Sequence, residues 1–201
     1  MTDRKGVPGA APVRETGLIG GVEVRAIVVV PYRQDWPETF RLHRERIAAA
    51  LGAEALGIDH IGSTAVPGLD AKPIVDILVA VADLADEETY LPAMEACGYQ
   101  LRVRESDFEE HRMFRTPELD VHVHVLSDGS PEIERYLRFR DALRATPFLR
   151  ARYQELKRSL AAQDRQDMNV YARAKSEFVE AIVLWSRRTD RRRPQLAPGG
   201  G

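Results

Sequence analysis

The segment HIGSTAVPGLDAKPIVDILVAV, residues 60–81, holds the features on which both fold and chemistry turn. Its last part, Ile74 to Val81, is an almost continuous apolar run. Such a run marks a strand buried on both faces rather than one with a wet side. One charge, Asp76, interrupts it. Alternation puts Asp76 on one face with Ile74 and Leu78. An isolated buried carboxylate costs several kcal/mol unless it is paired, hydrogen-bonded or bound to a metal. An interior Lys or Arg would make Asp76 structural; a binding site accounts for it better.

Upstream, a short strand over Ile58 to Ile61 ends in Gly62-Ser63-Thr64. A turn of this kind exposes backbone N–H groups and two hydroxyls that can hold phosphate oxygens. The turn-rich link Val66 to Pro73 then carries Lys72 to the mouth of the Asp76 strand.

Working outward, Asp35-Trp36-Pro37-Glu38 reads as an N-cap acid, a first-turn proline and a capping-box glutamate. The helix expected from there to Leu51 buries Trp36, Phe40, His43, Ile47 and Leu51, which makes His43 a packed core residue. Residues 87–96 look helical and end at Gly98. Strands follow over Tyr99 to Arg104, His111 to Thr116 and Val121 to Leu126. Ser130-Pro131 with Glu132 and Glu134 starts a helix strongly. Pro147 begins another, with stripe Leu149, Tyr153, Leu156 and Leu160. The last, about 168 to 186, is expected to bury Tyr171, Ala174, Phe178, Ile182 and Trp185. The pattern is α+β: a mixed sheet with flanking helices and a C-terminal three-helix segment.

The whole chain is consistent with one folded domain. It has 201 residues, 44% hydrophobic and 30% charged, with net charge −2. That balance speaks against nucleic acid and anionic membranes as partners, so any anion site must be local. The single cysteine, Cys97, excludes an internal disulfide framework and points to a reducing compartment. No apolar run approaches the ~20 residues of a membrane span. The N-terminus lacks a secretory h-region. The expected location is the cytoplasm. Residues 1–23 and the Arg-, Pro- and Gly-rich 187–201 read as mobile tails around a domain at 24–186. Within the domain, residues 83–120 hold eleven acids and four bases, and residues 131–188 thirteen bases and eight acids. The two stretches either pack together or leave a positive wall for an anionic ligand.

His122 and His124 alternate with Val121, Val123 and Val125, so both imidazoles share one strand face. Two histidines at i and i+2 suit a divalent metal or a general acid/base pair, or simply the exposed side of a half-buried strand. The alternation is similar to that of histidine-triad nucleotide hydrolases, but Leu126 stands where their third histidine is expected.

The run from His60 to Ile77 resembles the signature of the GrpB family. Later segments agree: Val121 to Val125, Phe139-Arg140-Asp141-Ala142-Leu143-Arg144, Tyr153-Gln154-Glu155-Leu156-Lys157 and Tyr171-Ala172-Arg173-Ala174-Lys175. The resemblance covers roughly residues 27–186 and implies a nucleotidyltransferase-like fold. In that superfamily a Gly then Gly or Ser is followed, 9 to 13 residues later, by an acid, an apolar residue and a second acid. Gly62-Ser63 followed by twelve residues and Asp76-Ile77 fits, but Leu78 replaces the second acid.

The resemblance implies Asp76, His122 and His124 as catalytic and metal-ligating residues. Gly62, Ser63, Thr64, Lys72, Arg140, Arg144, Lys157 and Lys175 would form the phosphate- or nucleotide-binding set. Arg140 and Arg144 lie one helical turn apart, placed either to clamp phosphate or to pair with the acidic middle. The implied cofactor is a divalent metal, Mg or Mn; with imidazole donors, Mn or Zn suits better than Mg. The expected function is binding a nucleotide or other phosphorylated small molecule, or transferring its nucleotidyl group. Two rivals stand beside it. One is a noncatalytic nucleotide-sensing or protein-partner domain linked to coenzyme A metabolism, since the family's domain also occurs fused to dephospho-CoA kinase. The other is a metal-dependent phosphohydrolase.

Overall fold

In chain order the structure forms α1 (Trp36–Leu51), β1 (Gly57–Ile61), β2 (Val75–Val81), α2 (Leu91–Ala96), β3 (Gln100–Glu105), β4 (His111–Arg115) and β5 (Val121–Ser127). Helices α3 (Pro131–Ala145), α4 (Pro147–Ala162) and α5 (Met168–Arg191) complete it. The computed structural model describes residues 17–19, 28–105, 111–162 and 168–191. Most of both expected tails, and the side chains of Tyr171 and Ala174, lie outside the described residues.

The strands make one mixed sheet in the order β1-β2-β5-β4-β3. The central pair, β2 and β5, is parallel, and every other pairing is antiparallel. Central placement explains the apolar run. On one face Val75, Ile77, Val79 and Val81 join Val121, Val123, Val125 and Phe114 under Trp36, Ile47 and Leu51 of α1 and Met94 of α2. On the other, Leu78 packs with Ile61 and Leu126 beneath Ile133, Tyr136 and Leu137 of α3. A third cluster pins the link after β1: Val66 and Leu69 are buried among Phe139, Leu143, Tyr153, Ile182 and Val183 of the three C-terminal helices.

The α+β architecture stands as expected, and several local details differ. Asp35 precedes α1, but its carboxylate accepts from Arg33 Nε at 3.0 Å instead of capping the helix. Glu38 likewise pairs with Arg41. The helix start is held by Pro37 and by Thr39 N–H donating to the Asp35 carbonyl at 2.9 Å. Residues 87–96 split into a 3-10 turn, Glu87–Thr89, and α2, because Pro92 near the start of α2 has no N–H to continue a helix from upstream. Ile74 lies before β2 rather than in it. His43 is packed as expected, its Nδ1 2.6 Å from the Tyr99 hydroxyl.

Trp185 is 43% exposed. On α5 Ile182 is buried and Phe178 partly buried as expected, but Val183 and Ser186 rather than Trp185 continue the buried line. Helix α5 also continues to Arg191, past the expected end at 186. Residues 17–19, within the expected N-terminal tail, lie along β3: Leu18 bridges Val103, and Arg104 N–H donates to the Gly17 carbonyl at 2.9 Å.

Ile77 is fully buried between α1 and the centre of the sheet. Ile77→Ala should therefore lower unfolding free energy by about 2–5 kcal/mol in urea titrations, with the denaturant slope unchanged.

Candidate functional site

Parallel pairing decides which side chains meet. In the β2–β5 register Asp76 lies beside His122, and Leu78 beside His124. All four point to the face covered by α3, but the apolar cover of Leu78 and Leu126 stops short of the first residues of the two strands. Asp76 and His122 are left about three-tenths exposed there, and His124 is 17% exposed. Asp76 Oδ1 lies 3.6 Å from His122 Nδ1 and 3.5 Å from His124 Nε2. Burial raises the pKa of Asp76, but hydrogen bonds and charge from His122 and His124 outweigh it and hold the carboxyl well below the usual carboxylate range.

The three donor atoms all lie within 4.8 Å of one another. Ligands of a tetrahedral ion at about 2.0–2.1 Å stand roughly 3.3–3.4 Å apart, so two of these separations are close to coordination geometry. One carboxylate and two imidazoles can hold a divalent cation, and the nitrogen donors favour Mn²⁺ or Zn²⁺ over Mg²⁺.

Gly62 closes the site from β1. Ile61 is the register partner of Asp76, so the next residue turns directly over the carboxylate. Gly62 has φ 71°, and a Cβ there would stand 2.4 Å from Asp76 Oδ2. Both facts require glycine. Ser63 follows, and its Oγ accepts from Lys157 Nζ at 3.1 Å. Lys157 also donates to the Asp70 carbonyl, and burial together with the charge of Lys175 pushes its pKa down to about 7. Burial lowers the pKa of Lys72 and of Lys175 as well, and Asp76 acts on both in the opposite sense. Lys157 of α4 thus reaches the Gly62-Ser63 turn, while Lys72 of the link and Lys175 of α5 lie within electrostatic reach of Asp76.

Three expected phosphate ligands do something else. Thr64 is buried, and its hydroxyl is 3.1 Å from Nε2 of His60, which stacks on Phe40 on the opposite sheet face. Burial pushes His60 down to about 4, so it meets Thr64 as a neutral ring. Arg140 donates to Asp59 Oδ1 at 2.9 Å and to the His60 carbonyl at 3.1 Å, latching α3 to β1. Arg144 donates to the Ala65 carbonyl at 2.8 Å and braces the turn from behind. Among the described residues neither arginine bonds the acidic middle. Glu87 of that stretch takes Arg104 and Arg112 from its own neighbourhood.

Sequence reasoning missed His111. On β4, Met113 pairs with His124, so His111 shares the site's face one diagonal step away. Its Nε2 is 3.0 Å from His124 Nδ1, and its Nδ1 is 3.5 Å from Glu105 Oε2. Burial, with the charges of His124 and Arg112, pushes His111 down to about 4. Tyr136 of α3 closes over His124, with ring centroids 5.9 Å apart. Period-2 alternation puts His111 on one face with Met113 and Arg115; only the strand order puts that face beside His124.

Among the described residues no helix is long and apolar enough to cross a membrane. The family model for GrpB protein matches residues 26–184. A UPF0157 protein of Streptomyces coelicolor is 53% identical over 165 residues, covering 82% of this chain and 87% of that one. The crystal structure of conserved protein GrpB from Enterococcus faecalis is similar at TM-score 0.72 and 32% identity, covering 81% of this chain and 98% of that chain. A dephospho-CoA kinase of Mycolicibacterium paratuberculosis is 30% identical over 176 residues, 75% of this chain and 43% of the kinase.

Two outcomes follow from this geometry. Gly62→Ala should cost about 1–3 kcal/mol of stability in denaturant titrations, because the new methyl meets Asp76 in a backbone region that disfavours side chains. Lys157 titrates at about 7 in the fold against an ordinary 10.5, so between those pH values the unfolded chain holds a proton that the native one has released. Raising pH through that window therefore stabilises the native state. Lys157→Met should flatten the rise in urea midpoint between pH 7 and pH 10.

Proposed function

The chain belongs to the GrpB family, and we propose that its Asp76 site binds the phosphates of a nucleotide, or of a related phosphorylated small molecule, through a divalent cation and transfers the nucleotidyl group. One observation carries the reading: Asp76, His122 and His124 converge against the Gly62-Ser63 turn. Lys157 bonds Ser63 of the same turn, and Lys72 and Lys175 lie within electrostatic reach of Asp76. The spacing from Gly62-Ser63 to Asp76 is the one that resembles the nucleotidyltransferase superfamily.

A cation held by these donors would neutralise phosphate charge and align the α-phosphate for in-line attack. The residues themselves supply the rest. Ser63 is kept in place by Lys157, and its hydroxyl would meet a phosphate oxygen together with the N–H groups of the turn. A bound anion would favour the charged form of Lys157, so ligand binding takes up a proton near pH 7. Arg144 and Arg140 hold the turn and β1 rigid behind it. A nucleotide ligand and a free thiol at Cys97 both suit the cytoplasm.

A second reading, a noncatalytic sensing or partner domain linked to coenzyme A metabolism, is favoured by the kinase relative, of which this chain matches 43%. The buried Leu78, in place of a second acid, points the same way. Phosphohydrolysis would use the same site with water as acceptor.

Thermal-shift assays on wild type and Asp76→Asn, with Mg²⁺, Mn²⁺ or Zn²⁺, alone and with nucleoside triphosphates or coenzyme A precursors, separate these readings. Ligand at 100 times its Kd stabilises by about 2.7 kcal/mol, a rise of several degrees in Tm. A metal-dependent nucleotide shift that is lost in Asp76→Asn, followed by turnover with that nucleotide, is expected. Release of orthophosphate would favour hydrolysis. No shift with any nucleotide or metal, together with a stable protein partner in pull-downs, would replace this proposal with the partner-domain reading.

A further inference from the structure

We infer that Glu105 and His111 form a positioning relay that fixes the proton and the ring orientation of His124, so that its Nε2 lone pair faces the cation site. The inference rests on the proposed metal reading and deepens it. Nε2 of His124 faces Asp76 at 3.5 Å, and its Nδ1 faces His111 Nε2 at 3.0 Å. A cation bound through Nε2 needs the lone pair there, which leaves the ring proton on Nδ1. That N–H then donates to His111 Nε2, so the proton of His111 sits on Nδ1, the atom 3.5 Å from Glu105 Oε2. Each step leaves one tautomer for the next ring.

The chain of groups thus runs carboxylate, imidazole, imidazole, cation. A ligating histidine ordinarily passes its other ring N–H to a carboxylate or carbonyl directly, and that partner orients the ring and raises its basicity. Interposing His111 carries the influence of Glu105, 41% exposed at the end of β3, to a ligand that is mostly covered. The near-parallel rings of His111 and His124, 14° apart, and Tyr136 against the far side of His124 leave its imidazole little room to rotate. His122 meets Asp76 through Nδ1, so the two histidine ligands present different nitrogens.

The test is a Co²⁺ titration of untagged, full-length protein, read by visible d–d absorption for both affinity and ligand field, on wild type, His111→Phe, His111→Gln and Glu105→Gln. Loss of an outer partner typically weakens metal binding about 10–100-fold. His111→Phe should fall in that range and shift the d–d bands. His111→Gln, whose side chain can accept from His124 and donate to Glu105, should restore affinity to within about threefold of wild type. Glu105→Gln changes a partly exposed side chain, and its folding is checked by circular dichroism; it should weaken binding by less than His111→Phe. If wild type binds Co²⁺ and His111→Phe and Glu105→Gln match it in affinity and spectrum, the relay is overturned and the metal reading stands. If His111→Gln is as weak as His111→Phe, restoring a donor and an acceptor at this position does not restore the site, and the relay is likewise overturned. If wild type takes up no Co²⁺, the metal reading itself fails.

Discussion

A carboxylate in the most buried pair of strands must be compensated, and that demand organises the molecule around Asp76. The compensation comes from β5, where His122 and His124 approach from the neighbouring strand at 3.6 and 3.5 Å. It works only in parallel register: a shift by one residue would turn both imidazoles into the valine-filled core beneath α1. The valines that alternate with the histidines therefore do two things. They supply the apolar face of the central pair, and by doing so they fix where the imidazoles point.

The same demand explains the surrounding charge. Lys72, Lys157 and Lys175 all have lowered pKa values, with burial as the largest cause, while Asp76 supports the charge of Lys72 and Lys175. In the proposed reading, partly desolvated lysines near Asp76 and Ser63 favour an anion that would restore their charged state. The arginines of the same helices have a different fate. Arg140 and Arg144 are bound to Asp59 and to the carbonyls of His60 and Ala65, so they stiffen the turn without facing it. In the proposed reading the lysines meet the ligand, while Arg140 and Arg144 brace β1 and the turn after it.

Much of this was legible in the sequence, because periodicity reports burial. The apolar run around Asp76, the alternation at His122 and His124 and the Ser130-Pro131 helix start each lie within one element. The glycine before Ser63 was equally visible, although its closeness to Asp76 Oδ2 was not. Relations between elements stayed hidden. Thr64 looked like a phosphate ligand because its hydroxyl follows Ser63, but the 3-10 turn Ser63–Ala65 carries it to the other side of the sheet, against His60. His111 gave no signal because its role depends on β4 lying next to β5, a matter of strand order that no local pattern encodes. Trp185 misled because its neighbour Ser186 takes the buried position at that end of α5, although Ile182 lies on the buried face as expected.

The residue that looks most like a defect, Leu78 in place of a second acid, fits the structure once its neighbours are considered. Leu78 is 2% exposed, and its cross-strand partners are Asp59 on β1 and His124 on β5. Asp59 is engaged by Arg140. An acid at position 78 would sit under Ile133, Tyr136 and Leu137 of α3, a largely apolar cover in which burying a charge is costly. In the proposed reading, the donor that would complement Asp76 along its own strand comes instead from the adjacent strand, from His124. Moving it sideways lets α3 close over Leu78 while the donor set stays open at its edge. In that reading the donor set holds one carboxylate in place of two, and the phosphate charge of a ligand is left to be met by a cation of nitrogen preference and by the lysines. In the proposed reading the lysine cluster and the leucine are therefore two consequences of one substitution in the chemistry of the site.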